Sequence, residues 1–285
     1  MKHKITMKRN ILLCGIALVL SALSAPAVFA QEEDDFPVMP AFETLTLIDN
    51  QTTMNLYKGS FAFEIQHRFS QIEELADLFG LYGSANTRLG LSYGVTDKIT
   101  LGFGTTRDYM LQDLEWKYAL LTQTESRIPV SLSYHGNVVL DARPDKNFGP
   151  EEDYTFAHRM SYLNQLIVSK RFGDKVSFQV APTFAWVNAV PEGYRNSNAS
   201  INAGARFQVL GFHSIILEYD QPLLMADKEV YPNLAAGLEI GTSTHAFRVF
   251  VSNYSSIVRN YGIAYNKNNP LEGDYHFGFN ITIRF

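Results

Sequence analysis

The chain has 285 residues, with 24 basic against 29 acidic residues, a formal charge of −5 and one cysteine. That balance argues against a nucleic-acid partner, and a lone Cys14 excludes a disulfide framework within the chain. Length alone suggests two domains, although all-β barrels of this size form one.

Residues 1–30 have the pattern of a secretory signal. Lys2, Lys4, Lys8 and Arg9 precede an apolar core at 11–20, and Val28-Phe29-Ala30 forms a small-residue cleavage site before Gln31. Cys14 follows Leu13, whereas a lipidated cysteine requires a small residue before it. Removing the four basic residues of this segment leaves 20 basic against 29 acidic residues, a charge of −9. No later run approaches the roughly 18 apolar residues of a spanning helix. Residence in a membrane therefore requires a closed barrel, because open sheet edges leave backbone groups unpaired in lipid.

Residues 31–57 open with Glu32, Glu33, Asp34 and Asp35, then Pro37 and Pro40, then a mixed polar stretch. The charge run alone describes a solvated linker. Ahead of a barrel, the segment is expected to be a periplasmic extension or a plug, and a possible handle for a periplasmic partner. The barrel itself is expected over 58–285.

Period-two alternation begins near Gly59. Phe61, Phe63, Ile65 and Phe69 share a face with His67, opposite Glu64, Gln66 and Arg68. Similar alternation marks strands around 89–93, 99–103, 114–120, 130–137, 155–172, 176–186, 201–209, 213–220, 234–240 and 247–251. The parity is ambiguous at 163–168. The last strand is the clearest: Tyr275, Phe277, Phe279, Ile281, Ile283 and Phe285 alternate with His276, Gly278, Asn280, Thr282 and Arg284.

This pattern predicts an all-β fold, a transmembrane antiparallel up-and-down β-barrel of about twelve strands. Connections at 95–98, 122–127, 173–174, 211–212 and 242–244 are short. Those at 70–86, 141–154, 189–197, 221–231 and 254–274 are long, with a short exception near Tyr109. Tight turns at one end and long loops at the other are the outer-membrane arrangement, with both termini periplasmic. Phe285 and its parity partners are expected to form the C-terminal signal read by the barrel assembly machinery, with outer-membrane lipids around the outward face.

The runs Gln66-His67-Arg68-Phe69, Leu78-Phe79-Gly80-Leu81-Tyr82-Gly83 and Tyr93-Gly94-Val95-Thr96-Asp97-Lys98 resemble a Bacteroidota-type family of outer-membrane β-barrels catalogued as a domain of unknown function. Lys117-Tyr118, Leu120-Leu121 and Gln123 add to the likeness, which is strongest over 59–125. It implies the barrel fold and no activity.

If the polar parity faces inward, the lumen is lined by Glu64, Arg68, Arg88, Glu115, Lys117, Arg206, Glu218, Glu239, Arg248 and Arg284. Two readings are open: a filled, salt-bridged barrel, or a charged constriction whose basic excess favours anions. Twelve strands lie between filled eight-stranded and open sixteen-stranded barrels, so a narrow or filled lumen is expected. Catalysis is not expected. Outer-membrane lipid-modifying enzymes pair a His with a Ser, and the histidines at 67, 135, 158, 213 and 245 lack the His-x-Ser spacing that would place both on one strand face. The acidic stretch 141–153 lacks the ordered ligand spacing of a calcium loop, and no metal or cofactor is expected. The first reading is a narrow channel for small polar or anionic solutes. The second is a non-conducting structural or partner-binding barrel, and the third a lipid-modifying enzyme. A short amphipathic helix is expected near 72–78.

Overall fold

The computed structural model describes residues 35–73, 75–148 and 154–285. The expected signal peptide lies outside them, as do Glu32, Glu33 and Asp34 and part of the acidic loop. Among the described residues no helix is long and apolar enough to cross a membrane.

Twelve strands follow in chain order: β1 (Phe61–Gln71), β2 (Asn86–Thr96), β3 (Ile99–Thr106), β4 (Leu111–Leu121), β5 (Ser131–Asp141) and β6 (Met160–Phe172). The second half holds β7 (Val176–Val187), β8 (Ser197–Leu210), β9 (His213–Pro222), β10 (Asn233–Gly241), β11 (His245–Ser252) and β12 (His276–Arg284). Each pairs antiparallel with its neighbours in sequence, and β12 closes onto β1. At this seam Phe63 faces Ile283 and His67 faces Phe279, whose rings stack at 4.7 Å.

Burial alternates along the strands in the sense opposite to a water-soluble sandwich. Leu91, Phe103, Leu114 and Leu238 are exposed on the outside, while Arg68, Arg206 and Arg248 are wholly buried inside. A water-soluble protein exposes its charges and buries its large apolar side chains. Here the apolar surface is the one that meets lipid, and the closed ladder satisfies every strand's backbone.

The parity that is ambiguous in β6 has a physical resolution. Leu163 and Ile167 point inward, and Leu163 packs with Ala185 and Ile263. Asn164 points outward, where the Tyr134 hydroxyl donates to its side-chain oxygen at 2.5 Å. Each residue contradicts its own polarity, and Leu163 and Asn164 each have a partner there. Tyr134→Phe is expected to leave Asn164 unpaired at the lipid surface and to cost about 1–3 kcal/mol in urea unfolding. Tyr134→Phe combined with Asn164→Leu should recover most of that loss.

The 155–172 segment is shorter as a strand than its pattern predicts, since residues Phe156–Arg159 form a 3-10 turn capped by Thr155 before β6 starts. In the first long loop the expected helix is a single 3-10 turn, Leu75–Asp77. The loop between β11 and β12 supplies a seven-residue helix, α1 (Arg259–Tyr265), all but its ends buried within the barrel mouth.

One inward aromatic needs room made for it. Phe250 on β11 lies between Gly237 on β10 and Gly278 on β12, where an added Cβ would come within 2.4 Å and 2.6 Å of it. The Arg68 guanidinium lies over the same ring at 4.4 Å.

Candidate functional site

The interior is occupied by the chain's own residues before β1. Residues 36–38 bond to the β4–β5 connection, through the Val38 amide to the Gln123 carbonyl and the Glu125 amide to the Phe36 carbonyl, both at 3.0 Å. The chain then turns inward, and residues 41–56 are almost continuously buried. Thr46 and Gln51 form a bridge closed by Leu47 N–H to Asn50 O at 2.8 Å, so residues 45–52 make a hairpin inside the barrel. The chain leaves at the same end, where the Lys58 amide donates to the Asp97 side chain at 2.9 Å.

Wall residues from all sides meet the hairpin. Glu218 accepts the consecutive amides of Ile48, Asp49 and Asn50 at 3.1–3.3 Å, an anion nest turned against a wall carboxylate. Arg248 donates to Thr46 and Leu47 carbonyls, to the Thr46 hydroxyl at 2.9 Å, and to Glu64 and Thr282 on neighbouring strands. Arg68 pairs with Asp49 at 2.5 Å and with Asn280 at 2.9 Å. Lys117 donates to Gln51 at 3.0 Å and to the Leu45 carbonyl at 3.3 Å, and Gln51 in turn donates to Glu115. Arg284 reaches the Glu43 carbonyl at 2.9 Å. Arg206 pairs with Glu239 at 2.7 Å and with Glu43 at 3.4 Å. Arg88 lies apart from the hairpin, held by Asp113 and Gln66. The hairpin also has an apolar side, where Phe42, Leu47 and Ile48 pack with Ile216, Ala235, Phe250 and Tyr254.

From the opposite end, α1 covers the hairpin. Arg259 clamps Asp220 with both terminal nitrogens, and Asn260 donates to Ser161 at 3.1 Å. Between hairpin and helix a polar cavity of about 30 Å³ survives, bordered by Asp49, Arg88, Glu115 and Arg259.

Inward acids absent from the sequence-derived lining set are Asp113, Asp141 and Asp220, all buried. The signal for them was present: Asp113 shares the parity of Glu115 and Lys117, and Asp220 that of Glu218. Counting them removes the basic excess of the strand wall. Arg259, by contrast, lies in a loop without periodicity.

Of the C-terminal set, Phe277, Phe279, Ile281 and Ile283 lie on the outward parity of β12, and Tyr275 just precedes the strand. Phe285 exchanges backbone hydrogen bonds with Phe61 at 2.9 and 3.1 Å, so the final residue is paired at the seam. Asp141, at the start of the acidic loop, is engaged by Arg143 at 2.6 Å.

A closed barrel with charge inside and an apolar belt outside is a membrane-spanning β-barrel. The chain belongs to the membrane bound beta barrel domain family (DUF5777), which matches residues 42–285. A comparison with curated proteins finds no match. Among solved structures, the chain is similar to the KdgM porin in complex with disordered oligogalacturonate (TM-score 0.49, 10% identity, covering 79% of this chain and 99% of that one). It is also similar to the NanC porin (TM-score 0.48, 9% identity, 78% and 98% covered). Outer membrane phospholipase A from Escherichia coli is a third (TM-score 0.43, 13% identity, 86% and 98% covered). Porins and an enzyme stand side by side there, and a shared fold assigns neither activity.

Proposed function

We propose that the protein is an outer-membrane channel for small polar or anionic solutes, closed in this state by its own N-terminal hairpin and by α1. The observation that carries the reading is the chemistry of the closure. The hairpin is held mainly by hydrogen bonds and ion pairs to a polar wall, contacts that water can replace when the segment leaves. Arg68 and Lys117 would then lose Asp49 and the hairpin acceptors, while Glu218 would lose its amides. With Arg284, which would lose the Glu43 carbonyl, three cations are freed against one acid; this local release, not the total charge of the wall, supports a modest preference for anions. The short-turn end, where the chain enters and leaves the hairpin and where Phe285 is paired, would face the periplasm. The outward residues of β12 with Phe285 support its reading as the assembly signal.

The test is single-channel conductance in planar bilayers for the full chain, a chain lacking 36–57, and that truncation combined with Asp220→Asn, which loosens Arg259. The full chain is expected to be silent or rarely open, the truncation to show steps, and the double change to show larger ones, with a reversal potential on the anion side. Silence in all three would leave a non-conducting structural or partner-binding barrel. A periplasmic partner would then meet the residues before Ala41, because 41–56 lie inside. Equal conductance with and without 36–57 would show that the hairpin is not the closure. A lipid-modifying activity would register as cleaved lipid after incubation with the pure barrel.

A further inference from the structure

We infer that the long-loop mouth of the barrel is a binding site for a neutral saccharide of a few sugar units. A cavity of about 650 Å³ opens there, bordered by the β3–β4, β7–β8 and β11–β12 connections and by Arg143, Asn147 and Phe148 after β5. That lies within the roughly 300–1,000 Å³ typical of small-ligand sites.

Four tyrosines from three separate loops cross this cavity in one connected row. Tyr109 and Tyr261 have ring centroids 5.2 Å apart, Tyr261 and Tyr265 5.6 Å, and Tyr265 and Tyr194 5.1 Å. Successive rings are tilted or edge-on, so the row presents faces and edges in turn. A cation closes each end: Arg143 lies 4.3 Å over Tyr109, and Lys267 5.7 Å over Tyr194. Tyr261 is 7% exposed because its ring packs with Leu111, Val139 and Val258. Its phenol oxygen is not among the buried atoms left without a partner, so it stays open to the cavity as a donor. Burial pushes Tyr261 and Tyr265 well up from the ordinary phenol range, so both stay neutral donors.

The lining chooses among ligand classes. Among the described lining residues Asp108 and Asp141 offset Arg143 and Lys267 in formal charge, and Arg143 is already paired with Asp141 at 2.6 Å. An anion would find little uncommitted positive charge. A lipid chain would leave phenols and amides unpaired, which costs free energy. A sugar ring offers a C–H face to a tyrosine ring and hydroxyls to the phenols, and it needs no net charge. The inference does not depend on conduction: a barrel that never opens would still carry the site.

The test is isothermal titration of the refolded full chain, in a detergent without a sugar headgroup, against a panel of neutral di- and trisaccharides, with trigalacturonate as a charged control. At least one neutral sugar is expected to bind with a Kd near or below about 1 mM. Tyr194→Ala should weaken it about tenfold, and Tyr261→Phe, which keeps the ring and its packing, several-fold. Circular dichroism shows that each variant is folded. No heat from any neutral sugar up to about 10 mM, binding indifferent to both variants, or binding of trigalacturonate alone would each overturn the assignment.

Discussion

Arg248→Ala is expected to release the N-terminal hairpin and to lower stability by about 3–5 kcal/mol, the range for removing one partner of a buried ion pair. Arg248 is wholly buried, and its guanidinium joins the hairpin tip to two strands at once. One terminal nitrogen serves the Thr46 and Leu47 carbonyls, and the other serves Glu64 and Thr282. Alanine would leave the Glu64 carboxylate without its cation and two hairpin carbonyls without this donor. Arg248→Lys keeps the charge but not the planar fork, so it should recover part of the loss. Glu64→Gln alone should cost less, and the double change Arg248→Ala with Glu64→Gln should cost less than the sum of its parts, since the two share one interaction. Hydrogen exchange over residues 44–52 reports hairpin release directly, and urea midpoints report the total. Unchanged exchange in Arg248→Ala would mean that the other wall contacts hold the hairpin without it.

The strands were readable in the sequence because a membrane barrel imposes alternation on every one of them: lipid outside demands apolar side chains, and the interior tolerates polar ones. Where that demand is relaxed, reading fails. Leu163 points inward because Ile263 of α1 and Ala185 of the neighbouring strand provide an apolar setting, and Asn164 points outward because Tyr134 satisfies it. Within β4 the acid at Asp113 lay on the correct parity and was legible, yet its role follows only from Arg88 across the sheet. The filling of the lumen is different in kind. Thr44-Leu45-Thr46-Leu47 followed by Asp49-Asn50 has the local form of a hairpin, but nothing local says that it folds into the barrel. That depends on Glu218, Arg248 and Asn280, which are distant in sequence and adjacent only after closure. The tyrosine row was equally out of reach, since Tyr109, Tyr194, Tyr261 and Tyr265 come from loops without periodicity.

Glu218→Ala is expected to have the second large effect, and comparison with Glu218→Gln separates charge from geometry. In the native barrel one carboxylate accepts three consecutive amides and stands 3.4 Å from the Tyr254 hydroxyl. Removing it leaves three buried N–H groups with no acceptor, each costing about 1–3 kcal/mol. Some of that will be recovered by movement of the tip, because Asn50 is still anchored through Asp220 and Gln165, at 3.1 Å each. Glutamine retains one carbonyl oxygen for the nest and gives up the charge assistance, so its loss should be about half as large. Exchange at the amides of Ile48, Asp49 and Asn50 should accelerate most in Glu218→Ala, less in Glu218→Gln, and hardly at all in the wall ladder of β9. If alanine accelerated the whole of β9 as well, Glu218 would be a support of the barrel wall rather than a latch for the hairpin. A selective response would place the latch at one carboxylate, and on the proposed channel reading the same variant should then raise the open probability of the full chain without any truncation.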